Sequence, residues 1–382
     1  MNYLLFAVYF IVLCWLLLRV PFIKNAGIGP KILLALFIIK VLAGITIGWI
    51  SIHIYGPGND YWDVNDYARE EYQLLFTQPG KYFTKLFTSN YNDSFSGVFS
   101  SYNSYWNDLR TYLIVKLVSV FNIFSRGDYY INSLFFNFLV FFGHIILYRL
   151  FIKLYPARRL LVIIGCFLLP STLYFSSGIH KDGIVFLLLP ALFAWILVAK
   201  TKWPAASTFA AVYLVTGLLF FNINSIVSTI KPLEIITKKQ TEYLELTGAS
   251  TQIKLTPLQP TFKSFAGNAP EAINHSLLRP YLWEVPVKSM LPLCIELFFY
   301  QLLLLIFIFF RRKDFNPANS LFILFAIFFT LSVFLIIGYI VPNLGSLVRY
   351  RSVYLPLIIT PILCSFDWDK FLSVLKLKNN GI

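Results

Sequence analysis

The sequence has few charged side chains: Asp, Glu, Lys and Arg make up only 13% of its 382 residues. A soluble globular domain carries about 25% charged residues, so this deficit argues against a soluble protein. Hydrophobic residues make up 58% of the chain, its mean hydropathy is +0.69, and the apolar residues come in long blocks. The composition therefore predicts an integral membrane protein.

Cysteine and histidine are also rare, with four residues of each. All four cysteines fall inside apolar blocks, so we expect free thiols and no disulfide framework. No pair of Cys or His has the spacing of metal ligands, so no certain cofactor follows from the sequence. The net charge is +14, but no aromatic and basic binding platform accompanies it. We attribute the excess to cytoplasmic loops and predict no nucleic-acid partner.

Nine apolar segments are candidate membrane spans, because a helix of about 20 apolar residues crosses a bilayer. They cover residues 2–20, 32–54, 129–150, 160–176, 183–199, 207–225, 291–310, 318–341 and 353–366. The first lacks a basic start and a small-residue cleavage site, so we expect a retained helix and not a signal peptide. The prediction is an all-α polytopic integral membrane protein with about nine transmembrane helices, within a range of 8–11, in a single domain over 1–382.

Basic clusters predict the orientation of the chain. The clusters at 158–159 and 311–313 lie in short segments between spans, and short cytoplasmic loops are enriched in Lys and Arg. This rule places the N-terminus outside and the C-terminus inside a bacterial cytoplasmic membrane. Two large loops, 56–128 and 226–290, then face the periplasm.

The segment 111–124 tests this scheme, because it is apolar but short and carries Lys116 in its middle. A membrane span here would turn both basic clusters outward. We therefore predict a helix over 109–125 that lies on the outer membrane surface or is re-entrant.

The first outer loop begins with acidic and aromatic residues. Asp60, Asp63 and Asp66 recur every third residue, so they share one face of a helix. Carboxylates at the mouth of an apolar cavity could act as a general base or hold a divalent cation. Trp62 and Tyr67 lie between them, and their faces suit a sugar ring as well as the membrane interface. The alternative is a solvated helix start, where acids interact favourably with the helix dipole.

The turn at 176–183 places His180, Lys181 and Asp182 between two apolar segments. A turn needs glycine and one or two polar residues, but it does not need these three side chains together. Lys181 could hold a phosphate, and His180 or Asp182 could transfer protons. The alternative is a simple turn in which Asp182 caps the next helix.

Arg349, Tyr350 and Arg351 precede the last apolar segment on the predicted outer side, where positive charge is disfavoured. An outward arginine pair suits a diphosphate, because guanidinium groups bind its oxygens through paired hydrogen bonds. The alternative is that the arginines extend toward lipid headgroups.

Lys40 and Glu296 lie within apolar segments. Charged residues inside the membrane are functional candidates by default, although either could be structural. An ion pair between Lys40 and Glu296 would favour a transporter.

Together these motifs resemble the polytopic enzymes of bacterial surface-polysaccharide assembly. These include the Wzy-type and EpsG-like polymerases and the membrane glycosyltransferases of the GT-C fold. The stretch 175–189 (FSSGIHKDGIVFLLL) is similar to the turn where EpsG-like proteins carry a small-residue-Gly-x-x-Arg-Gln motif. Lys181 and Asp182 stand here in the place of the Arg-Gln pair.

Two further motifs carry the resemblance. Arg349 and Arg351 look like the basic residues before a late span in the same enzymes. Asp60, Asp63 and Asp66 resemble the acidic motif of GT-C enzymes, in which an Asp acts as the catalytic base. In those enzymes the motif follows the first span, whereas here it follows the second.

The resemblance implies a glycosyltransferase or glycan polymerase with a GT-C-like fold. Its donor would be a sugar linked to undecaprenyl phosphate or diphosphate, used at the outer face of the cytoplasmic membrane among membrane lipids. One of the three aspartates would be the base, and Lys181, Arg349 and Arg351 would hold the diphosphate. The alternatives are a transporter or a flippase for lipid-linked glycans, and a non-catalytic subunit of polysaccharide assembly.

Overall fold

The computed structural model describes residues 2–84, 105–198, 204–227, 231–245, 251–284, 288–312 and 320–379. Within these ranges the chain is almost entirely helical and forms no β-strand, so the all-α prediction is confirmed. The α-helices are Tyr3–Arg19, Pro21–Lys24, Pro30–Ile54, Asp60–Thr77, Pro79–Thr84, Tyr105–Ser125, Tyr129–Leu154, Arg159–Phe167, Pro170–Phe175, Lys181–Val198, Ala205–Ile226, Pro232–Glu245, Phe262–Ile273, Leu291–Phe309, Leu321–Ile340, Leu344–Ser352, Leu355–Ser365 and Trp368–Asn379. Single turns of other helix types cover Pro156–Arg158, Asn274–Leu278, Leu282–Glu284 and Lys288–Met290.

Five of the described helices are long and apolar enough to cross a membrane. They are Pro30–Ile54, Tyr129–Leu154, Ala205–Ile226, Leu291–Phe309 and Leu321–Ile340. A sixth is added if the pair Leu344–Ser352 and Leu355–Ser365, which is bent by 64°, forms one broken span. The chain therefore has several helices able to span a membrane, as its composition predicts.

The other predicted spans form shorter or interrupted helices. The segment 2–20 forms the 17-residue helix Tyr3–Arg19, which is apolar but short. The segment 160–176 is divided into two helices near Pro170, because proline has no N–H group to continue the hydrogen-bond ladder. A total of nine spans stays a prediction.

The chain divides into two compact units. The first comprises Met1–Arg149 and Leu173–Ala191, and the second comprises Leu150–Thr172 and Leu192–Ile382. A single membrane domain over 1–382 stays a prediction.

In the first unit, the helix Asp60–Thr77, called the acidic helix below, packs against the helix Tyr105–Ser125. Lys116 explains this packing, because its ammonium group forms a buried ion pair with Glu71 of the acidic helix. A charge in an apolar segment is tolerated where it is paired and hydrogen-bonded. The predicted helix over 109–125 is therefore present, whereas its place on the membrane surface stays a prediction.

In the second unit, the predicted outer loop 226–290 contains folded helices. Ile236, Phe265, Ala272 and Tyr339 form a buried apolar cluster, which joins three helices of this unit. The helix Phe262–Ile273 approaches Leu321–Ile340 so closely that a methyl group on Gly338 would overlap the backbone of Ala272. Much of this loop is therefore a packed part of the second unit.

Candidate functional site

The first unit brings the acidic helix and the turn at 176–183 together around His180. Its Nδ1 lies 3.1 Å from Asp182 Oδ2, and its Nε2 lies 3.8 Å from Asp60 Oδ2. His180 and Asp182 are buried, whereas the Asp60 side chain is 63% exposed. An imidazole therefore lies between a buried carboxylate and a carboxylate that faces solvent.

Local features of the acidic helix and of the turn bring Asp60 close to His180. Asn59 caps the acidic helix by accepting a hydrogen bond from the Trp62 backbone, which places Asp60 in the first turn. The Tyr61 ring lies 5.7 Å from the His180 ring. Gly178 permits the contact, because a methyl group there would overlap the Tyr61 ring.

The three aspartates of the acidic helix have different surroundings. Asp60 faces His180, whereas Asp66 Oδ1 lies 3.7 Å from the Arg69 guanidinium at an exposed position. Partial burial, followed by the charges of Asp60 and Asp66, raises the pKa of Asp63 above its usual value. Asp60 is thus the predicted base that contacts a second proton-transferring group.

The two aromatic candidates also differ. The Trp62 indole stacks on Tyr129 with 4.3 Å between ring centroids and donates a hydrogen bond to the Gly48 carbonyl at 3.0 Å. Trp62 therefore packs the acidic helix against neighbouring helices. Tyr67 is 54% exposed, so its ring remains accessible to a ligand.

Lys40 lies beneath the same turn. Its ammonium group donates to the Ser176 hydroxyl at 3.0 Å and to the Ser177 hydroxyl at 3.2 Å. The Asn137 amide donates to the Ser177 carbonyl at 2.9 Å. These buried polar groups fix the start of the segment that carries His180, a role that the sequence did not reveal.

In the second unit, Arg351 is 2% exposed. Its Nη1 donates to the carbonyl oxygens of Ser276 and Arg279 at 2.8 and 2.7 Å. The expectation that this arginine is an outward surface residue is therefore wrong, because its guanidinium group holds the backbone of the 274–279 segment. Arg349 and Tyr350 are partly buried, and the Tyr350 hydroxyl lies 3.3 Å from that of Tyr243.

Glu296 is buried in the second unit and accepts hydrogen bonds from Ser171 and Tyr300. The Ser171 N–H lies 3.1 and 3.0 Å from the two carboxylate oxygens, and the Ser171 hydroxyl lies 3.0 Å from Oε1. The Tyr300 hydroxyl also donates to Oε1. Lys40 and Glu296 thus each have partners in their own unit, and an ion pair between them stays a prediction.

The outer-loop part of the second unit contains an ion pair that the sequence did not indicate. Arg279 Nε lies 3.0 Å from both carboxylate oxygens of Glu284. The hydrogen bond from Arg279 lowers the pKa of Glu284, and the same bond raises the pKa of Arg279. Burial and the positive charge of Arg279 lower the pKa of His275.

Across the described ranges, no three His, Cys, Asp or Glu side chains form a group that could hold a metal ion. This includes Asp60, Asp63 and Asp66, whose surroundings differ as described above. A divalent-cation site at these three aspartates stays a prediction.

The fold defines a class: an α-helical protein with several helices that can span a membrane, and with an Asp–His–Asp cluster in its first unit. Comparison with known proteins identifies no family, because no protein-family model, no curated protein and no solved structure matches the chain.

Proposed function

We propose that the protein is a membrane glycosyltransferase or glycan polymerase with a GT-C-like fold and about nine spans. Its donor is a sugar linked to a polyprenyl phosphate or diphosphate. The reaction takes place at the outer face of a bacterial cytoplasmic membrane, with the N-terminus of the chain outside and the C-terminus inside. Several apolar helices of sufficient length support the membrane part of this proposal.

The cluster around His180 carries the proposal. Asp182 accepts the Nδ1–H proton at 3.1 Å, an arrangement that leaves Nε2 as the basic nitrogen. Nε2 points toward Asp60 across 3.8 Å, a separation beyond direct hydrogen bonding. A sugar hydroxyl that binds here could donate its proton to Nε2, while the Asp60 carboxylate stabilises the imidazolium that forms.

In the proposed reaction, the acceptor hydroxyl oxygen forms a bond to the anomeric carbon of the donor sugar. The bond between that carbon and the phosphate oxygen breaks, and the lipid diphosphate leaves with the electron pair. The hydroxyl proton passes to His180. General-base catalysis of this kind contributes on the order of 10²- to 10⁴-fold to a rate.

The leaving diphosphate needs a positive partner. Lys181 follows His180 directly and begins the helix Lys181–Val198, so it is our first choice for this contact. Arg349 belongs to the second unit, so its predicted phosphate-binding role stays a prediction apart from this cluster. Arg351 does not keep such a role, because its guanidinium group is buried and bound to two backbone carbonyls.

The experiment supplies the purified chain with a polyprenyl-diphosphate-linked oligosaccharide and measures product by mass spectrometry. We expect His180→Gln and Asp182→Asn to lower turnover on the order of 100-fold or more. Asp60→Asn should have a smaller effect, because this residue stabilises charge and does not accept the proton.

Glu234→Gln is the matched control, because it removes an exposed carboxylate that pairs with Lys231 and is remote in sequence from the cluster. It should leave turnover unchanged. Full activity of all three cluster variants would reject the site. Failure of the wild type to use any such donor would reject the reaction and favour transport of lipid-linked glycans.

A further inference from the structure

A stacked aromatic pair lies in the second unit, in the segment that follows the helix Phe262–Ile273. The rings of Tyr281 and Trp283 are 4.7 Å apart and nearly parallel, with an angle of 11°. Trp283 is 81% exposed. Tyr281 thus stacks on the indole ring of Trp283, most of which is accessible.

The aromatic pair is held rigidly. The Tyr281 hydroxyl donates to the Asn274 side chain, and the Tyr281 backbone N–H donates to Glu284 at 3.2 Å. Trp283 itself lies in the short helical turn Leu282–Glu284. A ligand that stacks on this surface would therefore lose little free energy to ordering of the protein.

Polar groups lie next to the aromatic pair in the chain. The side chains of Arg279 and Glu284 are 21% and 19% exposed, and they form an ion pair through Arg279 Nε and Nη2. Their shifted pKa values keep both groups charged at neutral pH. The outer edge of such a pair can still donate and accept hydrogen bonds.

We propose that the Tyr281–Trp283 pair and the Arg279–Glu284 pair form a carbohydrate-binding site. A pyranose ring would place its C–H face on the indole of Trp283, and its hydroxyl groups would bond to the ion pair. An amphipathic ligand suits a site that is apolar on one side and charged on the other. The site rests on the proposed function only for its ligand class, namely a glycan of the proposed glycosyl transfer, and sugar binding can be measured apart from turnover.

The rival explanation is a membrane anchor, because Trp and Tyr are enriched at membrane interfaces. The ion pair argues against it. Arg279 and Glu284 flank the aromatic residues in the chain, and moving an ion pair toward the apolar part of a bilayer carries a desolvation cost. A sugar, in contrast, supplies hydroxyl groups to these same charges.

The test applies the full-length protein in lipid nanodiscs to an array of neutral and acidic oligosaccharides. We expect binding to at least one class of oligosaccharide, and a loss of about tenfold or more in Trp283→Ala. Trp195→Ala is the matched control, because Trp195 is also 81% exposed but lies in the apolar helix Lys181–Val198. It should bind as the wild type does.

A second measurement separates the two explanations. Nanodiscs with brominated acyl chains should quench the fluorescence contributed by Trp195 and leave that of Trp283 unchanged. Absence of binding to any oligosaccharide, wild-type binding by Trp283→Ala, or quenching of Trp283 would overturn the proposal. Turnover that depends on His180 without any sugar binding at this site would reject this inference alone.

Discussion

In each unit, two kinds of contact hold a short segment in place: hydrogen bonds from a buried cation and the close approach of a glycine to a neighbouring residue. In the first unit, the Lys40 ammonium group bonds to the hydroxyls of Ser176 and Ser177, and Gly178 lies against the Tyr61 ring. Most of these contacts involve side chains. Side chains can rotate, so the contacts at this segment can adjust.

In the second unit the corresponding contacts are made to backbone. Arg351 Nη1 binds the carbonyl oxygens of Ser276 and Arg279, and Gly338 lies against the backbone of Ala272. Backbone atoms inside a packed structure cannot move away at low cost. The contacts at the 274–279 segment are therefore fixed, whereas those at the 176–178 segment, beside the proton-transferring groups, can adjust. The difference is local to these two segments, because Gly143 in the first unit also lies against backbone.

Substitution of the glycines should give the largest difference in stability between the two units. Gly338→Ala should destabilise the protein by about 3 kcal/mol, because the new methyl group overlaps backbone that cannot shift. Gly178→Ala should cost less stability but lower turnover, since the displaced Tyr61 ring contacts His180. Thermal unfolding in detergent measures the first effect, and product formation measures the second.

Gly217→Ala is the control for both substitutions, because a methyl group at Gly217 meets no atom within 4 Å. Alanine should be neutral or slightly stabilising there, since it favours helix more than glycine does. Equal thermal stability of Gly338→Ala and Gly217→Ala would contradict a fixed backbone contact between Gly338 and Ala272.

Substitution of the buried cations should give the next largest difference in stability between the two units. Arg351→Met leaves two carbonyl oxygens without their donor and should cost about 2–4 kcal/mol. Lys40→Met should cost about 1 kcal/mol, because each serine hydroxyl loses only one donor and can still donate its own proton, as Ser177 does to the Leu173 carbonyl.

The effects on turnover should have the opposite order: Lys40→Met should lower turnover more than Arg351→Met does. Lys40→Met should lower turnover more than its stability loss explains, since Lys40 fixes the segment that carries His180. The measurement pairs a thermal-shift curve with a turnover assay at a temperature where both variants are folded. An active Lys40→Met protein would remove Lys40 from the account of the site.

The Arg279–Glu284 pair should give the smallest effect. Because Arg279 lowers the pKa of Glu284, the pair stabilises the folded protein above the ordinary pKa of glutamate. That contribution is lost as the pH falls through the lowered pKa. Glu284→Gln should therefore reduce stability by less than about 1 kcal/mol at neutral pH, and the difference should disappear in acid. Thermal unfolding at several pH values tests this, and a difference that grows in acid would refute it.

Composition and hydropathy predict much of the fold, because apolar blocks of sufficient length form helices. Lys116 makes the segment 111–124 a poor candidate for a span, and in the structure its ammonium group pairs with Glu71, whereas the surface position of this helix stays a prediction. Helix breaks near Pro170 and the folding of the 226–290 loop are harder to predict. They depend on contacts between residues distant in the chain, such as Ala272 with Gly338.

The site was predictable only in part. The acidic motif and the His180 turn stood out because their ionisable residues exceed what a helix start or a turn requires. Their convergence depends on the Tyr61–Gly178 contact, which no local pattern indicates. The buried position of Arg351 was missed because arginine is usually exposed, and its acceptors are backbone carbonyls that any sequence could supply.

Turnover of the His180 and Asp60 variants tests the central claim most directly. If His180 is the base, His180→Gln should lower turnover on the order of 100-fold or more. Asp60→Asn should lower it less, because Asp60 lies 3.8 Å from Nε2 and does not accept the proton. Wild-type turnover by His180→Gln, or a loss in the Glu234→Gln control as large as in His180→Gln, would contradict the account.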